Sequence, residues 1–186
     1  MTIKRTYQDK SVNYFCTFTC LDWLPLIRIT AAYDVFYKWF VQMKTYENEI
    51  TGYVIMPNHA HLLIYVSEKS PSIDKLIGNG KRFIAYEIVE RLKRLERHQL
   101  LEKLAAGVSK KEQKRGKLHK VFMPSFDAKV CLSDTFIWQK LDYMHWNPLS
   151  GKWKFADSPE LYPHSSARFY INGEQGLFPV KDYREI

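Results

Sequence analysis

Long hydrophobic runs are missing from this chain. Stretches such as Leu62–Val66 fall far short of the roughly 18 to 20 apolar residues that a membrane-spanning helix needs, so no such helix is expected. Cysteine is scarce as well: Cys16, Cys20 and Cys131 are too few and too unevenly spaced for a disulfide framework or a zinc ribbon. They read as small buried hydrophobes, although Cys16 and Cys20 could share one strand face and keep a minor metal reading open. Glycine and proline, 8 of each in 186 residues, are too sparse for a low-complexity or disordered chain that is 46% hydrophobic and 15% aromatic. The first residues, MTIKRTYQDKSVNYF, carry charge with no apolar h-region or small-residue cleavage site behind it, which points to the cytoplasm. The absences leave one folded domain over residues 1–186, long enough to bury about two-thirds of its unfolded surface.

Acidic residues are in short supply only locally. The net charge is +8, and residues 81–120 hold 13 Lys and Arg against 5 Asp and Glu, so the whole surplus sits in that segment. A charge excess confined to one stretch is the footprint expected for a phosphate backbone, and Lys81, Arg82, Arg91, Arg94, Lys110, Lys111, Lys114, Arg115 and Lys117 are its candidate contacts. A solvated helix and loop with a chance bias explains the same count, and charge alone favours neither reading.

Hydrophobic spacing places the elements. Tyr14–Thr19, rich in aromatic and β-branched residues, predicts a first strand. Ala32, Val35, Phe36, Trp39, Phe40 and Met43 form the stripe of an amphipathic helix ending near Asn48. Tyr53–Met56 and His59–Val66 read as a hairpin about Pro57-Asn58. A long helix follows from just after Ser72 towards Leu104, with Ile84, Ile88, Leu92 and Leu95 as its seam and Arg91, Arg94 and Arg97 facing outward. Gly107–Lys120 reads as a basic loop and Val121–Phe126 as a further strand. A helix capped near Ser133 or Asp134 carries Phe136, Ile137, Leu141 and Met144, and stops or bends at Asn147 before Pro148. From about residue 149 an irregular tail should lie over the domain. The order predicts an α+β, ferredoxin-like βαββαβ antiparallel sheet with an added C-terminal helix.

Two short segments carry chemistry. His59 and His61 sit two apart on a strand, so both imidazoles share one face, and the opposite face carries Ala60, Leu62, Ile64 and Val66. The apolar face should pack the helices and leave the histidine face open to solvent or substrate. Such a pair can offer two nitrogen ligands to one cation, although a lone His-x-His more often makes hydrogen bonds within a turn. Tyr143 and Asn147 lie four apart on the last helix, one turn from each other on one face. Asn147 could bring an amide oxygen to a metal while Tyr143 presents its hydroxyl; a tyrosine and a capping asparagine before proline would look the same. A free phenol, with a pKa of about 10, attacks poorly at neutral pH, and a cation that polarises the phosphate would help it.

Taken together the segments resemble a known family. MPNHAHLLI, Met56–Ile64, is similar to the HUH motif of the single-tyrosine transposases; YMHWNP, Tyr143–Pro148, resembles the Tyr-Ile-His-x-Asn-Pro segment of their REP-associated branch; and YPHSSARFY, Tyr162–Tyr170, resembles that branch's Ser-Ser-Ala signature. The likeness spans roughly Tyr14–Tyr170. It implies a ferredoxin-like fold, a divalent cation such as magnesium or manganese, and endonuclease and strand-transfer activity on single-stranded DNA through a covalent 5′-phosphotyrosine. By position it makes His59, His61 and Asn147 metal ligands and Tyr143 the catalytic nucleophile. Ligand softness alone would suggest zinc for two imidazoles. The chain departs from the family after Pro148, where Leu149-Ser150-Gly151-Lys152 replaces the common Val-x-Ala-Gly, and Ala60 stands where a bulkier residue is frequent.

The partners implied are single-stranded or hairpin DNA and no membrane. Some members of the family work as homodimers with the tyrosine delivered in trans and others as monomers, and the sequence does not choose. Two other readings compete: a relaxase or replication initiator of the HUH type, against which small size and YMHWNP count, and a domesticated DNA-binding protein that no longer cuts.

Overall fold

The computed structural model describes residues 9–124, 126–150 and 154–186. The charged N-terminal octet and Gly151–Lys152, on which two of the sequence expectations fall, lie outside the described residues. Four strands form one antiparallel sheet in the order β2-β3-β1-β4, which is the ferredoxin-like arrangement. β1 is Val12–Thr19, β2 Glu49–Ile55, β3 His59–Val66 and β4 Asp127–Cys131. The helices are α1 (Leu26–Ile29), α2 (Tyr33–Met43), α3 (Ile73–Arg94), α4 (His98–Ala106), α5 (Lys110–Gln113), α6 (Asp134–Trp146) and α7 (Ala167–Asn172). Among the described residues no helix is long and apolar enough to cross a membrane.

Strand alternation divides the core between the two faces of the sheet. Tyr14, Cys16 and Phe18 of β1 and Ala60, Leu62, Ile64 and Val66 of β3 are buried with the apolar sides of α2 and α3. Gly80 permits that packing, because a Cβ there would lie 2.2 Å from the Trp39 ring. On the other face Phe15, Val54 and Leu63 pack against Ile137, Leu141 and Met144 of α6. Gly52 plays the same part here, since a Cβ would come within 2.7 Å of Leu141. The expected open histidine face is therefore covered: helix α6 finds its apolar partners on it, and the sheet is buried on both sides.

Other boundaries also moved. The long helix breaks at Leu95–Arg97, where Glu96 takes a positive φ of 52°, and resumes as α4. The basic loop contains the turn α5, closed by a capping box in which Ser109 and Glu112 satisfy each other's backbone N–H. The strand expected at Val121–Phe126 is reduced to an isolated bridge, Phe122 to Cys20, and the fourth strand is Asp127–Cys131, paired to Asn13–Thr17. The tail lies along the outer edge of β2. Its Ser166 N–H donates to Tyr53 O, its Ser166 Oγ accepts from Tyr53 N, and its His164 O accepts from Ile55 N, so backbone groups that an edge strand would expose are paired.

Candidate functional site

Strand β3 and the end of α6 meet at three side chains, His59, His61 and Asn147, the last of them 88 and 86 residues from the two histidines. His59 and His61 point to the face that α6 crosses, as the period of two requires, with ring centroids 4.9 Å apart. Ser133 caps α6 by accepting from Phe136 N, and the α-helical path runs on to Trp146 before Pro148 tightens the chain to a 3₁₀ turn. That path delivers Asn147 between the imidazoles: its Oδ1 lies 3.2 Å from His59 Nε2 and its Nδ2 3.4 Å from His61 Nε2. One helical turn earlier, Tyr143 packs edge-on against His61 with ring centroids 5.2 Å apart and keeps 54% of its surface exposed.

Each histidine is oriented from behind. His61 Nδ1 lies 2.7 Å from Thr17 Oγ1, and its ring stacks on Phe15. His59 Nδ1 lies 2.7 Å from Asn58 Oδ1, while the Asn58 amide nitrogen donates to Trp23 O. That second bond fixes which end of Asn58 is oxygen, and an amide oxygen can only accept, so His59 carries its proton on Nδ1. Burial pushes the His59 imidazole down to about 4, against a smaller opposing effect of the nearby Asn147 oxygen, which would accept from the protonated ring, and pushes His61 down to about 3, with the neighbouring His59 adding to the shift. Both rings are neutral at pH 7. The Nε2 of His59 then holds a lone pair that faces the Asn147 oxygen, two acceptors at 3.2 Å. Either a turn of the Asn147 amide or a cation between the two atoms relieves the repulsion.

Two imidazole nitrogens and one amide oxygen thus fit a cation, and held neutral they need lose no proton to bind it. Among the described residues no group of three or more His, Cys, Asp and Glu could hold a metal, so a bound ion would take its remaining ligands from water or substrate.

The basic residues separate into two kinds. Arg91 spends its guanidinium inside the protein, on Asp34, Glu87 and the carbonyls of Thr30 and Ala31, and is withdrawn from the group that faces solvent. Lys81 is half-buried with its ammonium on Met123 O, and burial pushes it down to about 8. Arg94 and Lys117 pair with Glu87 and Glu112. Exposed Lys110, Lys111, Lys114 and Arg115 make no ion pair among the described residues, and Arg82 is exposed beside Asn79.

Two contributions escaped the sequence reading. Thr17 lies in a strand that is otherwise core, and nothing in its neighbours marks it as the partner of His61. His145 and Ser166 belong to the motif segments but had no role; His145 Nε2 lies 2.9 Å from Ser166 Oγ, which ties α6 to the tail and, through Tyr53, to β2.

No family model matches the sequence, and no curated protein matches it. Among solved structures the chain is similar to a REP-associated tyrosine transposase bound to a REP hairpin, at 19% identity and a TM-score of 0.60, over 93% of this chain and 87% of that one. A structure described as a candidate transposase from Deinococcus radiodurans R1 overlaps at 16% identity and a TM-score of 0.42, over 77% of this chain and 95% of that one, too loosely to carry an argument. The likeness at 0.60 establishes the architecture: this chain has the fold of a REP-associated tyrosine transposase.

Proposed function

We propose that the protein is a metal-dependent endonuclease and strand transferase for single-stranded or hairpin DNA, with Tyr143 as nucleophile and His59, His61 and Asn147 as metal ligands. The observation that carries this reading is the exposed Tyr143 ring set against His61 one helical turn before Asn147, so that a phosphate reaching the tyrosine also reaches the three ligands. The structural neighbour at TM-score 0.60 is a REP-associated tyrosine transposase bound to a REP hairpin, which agrees with it.

In the reaction, Tyr143 Oη attacks the phosphorus and the P–O3′ bond breaks. The phenolic proton passes to water, the leaving 3′ oxygen takes a proton from water, and a 5′-phosphotyrosine remains. A free 3′ hydroxyl attacking that linkage rejoins a strand and releases the tyrosine. A divalent cation, magnesium or manganese, would supply charge stabilisation at the phosphate oxygens. The neutral, buried histidines stay aligned without titrating near pH 7, and Thr17 and Asn58 hold them in place.

Simple hydrolysis leaves no protein joined to DNA, so the test is a denaturing gel after incubation with hairpin DNA and magnesium. The wild type should give an adduct that peptide mapping places on Tyr143, and Tyr143→Phe should bind DNA with neither cleavage nor adduct. Full cleavage by Tyr143→Phe, or DNA linked elsewhere, rules the mechanism out; binding without cleavage by the wild type marks a domesticated DNA-binding protein.

A further inference from the structure

Next to the His59–Asn147 pair lies a cavity of about 380 Å3 on the side of the site away from Tyr143's partner His61. Its lining includes Trp23, Arg28, Met56, Asn58, His59 and Asn147. Trp23 stands out. The residue is 62% exposed, yet its indole is held edge-on to the His59 ring, with centroids 5.5 Å apart, so it packs on the candidate site and not into the core.

The backbone that carries it is unusual. Asp22 and Trp23 both adopt positive φ, 51° and 57°, a region that side-chain-bearing residues seldom enter and that costs free energy to hold. The bond from Asn58 Nδ2 to Trp23 O holds it, and the same Asn58 orients His59. Arg28 adds a guanidinium to the same cavity, on a helical turn anchored by its backbone N–H to Pro57 O. A flat aromatic face and an arginine, both lining a cavity beside the candidate metal ligands, match the two halves of a nucleotide: the base stacks on the indole and a backbone phosphate meets the guanidinium.

We propose that Trp23 and Arg28 form a subsite for the unpaired nucleotide adjoining the phosphate that Tyr143 attacks. The subsite rests on the nuclease reading above and adds its substrate detail, a flanking base that is single-stranded because only an unstacked base can lie against the indole. Stacking accepts any base, so the position should select for the presence of a base over its identity.

The test is equilibrium binding of Tyr143→Phe protein to a hairpin with a single-stranded flank, in which each flanking nucleotide in turn is made abasic. One abasic position should weaken binding about ten-fold. Adding Trp23→Gly should weaken binding of the intact hairpin by a similar factor and erase the penalty at that one position, while Trp23→Phe keeps most of both. Glycine suits the positive φ at position 23, so the glycine variant should melt no lower than its parent, which separates lost stacking from lost folding. Arg28→Gln should lower the salt slope by about 0.7, the value for one phosphate contact on a single strand. Intact binding unchanged by Trp23→Gly, or the same abasic penalties with and without the indole, overturns the subsite and leaves the nuclease reading standing. No binding of single-stranded DNA by the Tyr143→Phe protein overturns both.

Discussion

The two faces of the sheet use the same strands differently. On one, β3 sets Ala60, Leu62, Ile64 and Val66 under α2 and α3, all buried and all apolar, and packing is their whole task. On the other, β3 sets His59 and His61 under α6, equally buried, with Thr17, Asn58 and Asn147 on their ring nitrogens. Burial therefore does not distinguish the faces. On the first it removes apolar surface from water; on the second it removes water from imidazoles, holding them neutral and oriented. A site built this way is a second core with polar atoms left at its centre, and Tyr143 stands exposed at its margin.

Substitutions can set the faces against each other. The largest effect should come from His59→Ala and His61→Ala, each expected to reduce cleavage by more than about a hundred-fold, since even partners behind metal ligands are worth about 10- to 100-fold. Circular dichroism should stay native. If either variant cuts at the wild-type rate in magnesium, the histidine face is only a core. Leu62→Ala, on the apolar face of the same strand, should do the reverse: about 2–5 kcal/mol of stability lost in urea unfolding, with cleavage per folded molecule unchanged. Loss of cleavage beyond the loss of folded protein would mean that the faces are not independent.

Smaller changes sharpen the contrast. Gly52→Ala should push α6 off the sheet by its clash with Leu141, costing about 1–3 kcal/mol and a larger fraction of activity, because α6 carries both Tyr143 and Asn147. A thermal melt compared with single-turnover cleavage separates the two losses. The tail offers a pH test outside the site. Burial pushes the His164 imidazole, stacked on Tyr33, down to about 4, whereas an unfolded histidine takes its proton near pH 6.5. The stability it contributes is present above about pH 6.5 and is lost as the pH falls towards 4, so His164→Gln should flatten the fall in unfolding free energy across that window. The smallest effect concerns Lys110, Lys111, Lys114 and Arg115. Replacing all four with Gln should leave stability unchanged and lower the salt slope of DNA binding by about 0.7 for each phosphate contact removed. An unchanged slope would place the DNA groove on another surface.

Much of this was legible in the sequence because it depends on local spacing. Strand β3 runs from His59 to Val66 as its composition predicts, and the order of elements leads to the observed sheet. Strand β4 was not legible. Asp127–Cys131 mixes Asp and Lys with Ala, Val and Cys, as an edge strand half in solvent does, and the more apolar Val121–Phe122 beside it drew the assignment away.

The period of two in β3 by itself determined that His59 and His61 share a face, and helical spacing determined that Tyr143 and Asn147 do; both follow from backbone geometry within a few residues. That the two faces meet was decided only by tertiary structure. Gly52 lets α6 close onto the sheet, Leu63 and Val54 take up its apolar side, and Asn147 arrives between imidazoles 86 and 88 residues away. The same closure covers the histidines that the strand pattern alone left open, because a pattern shows which side chains share a face but not which other element will need that face to bury its own.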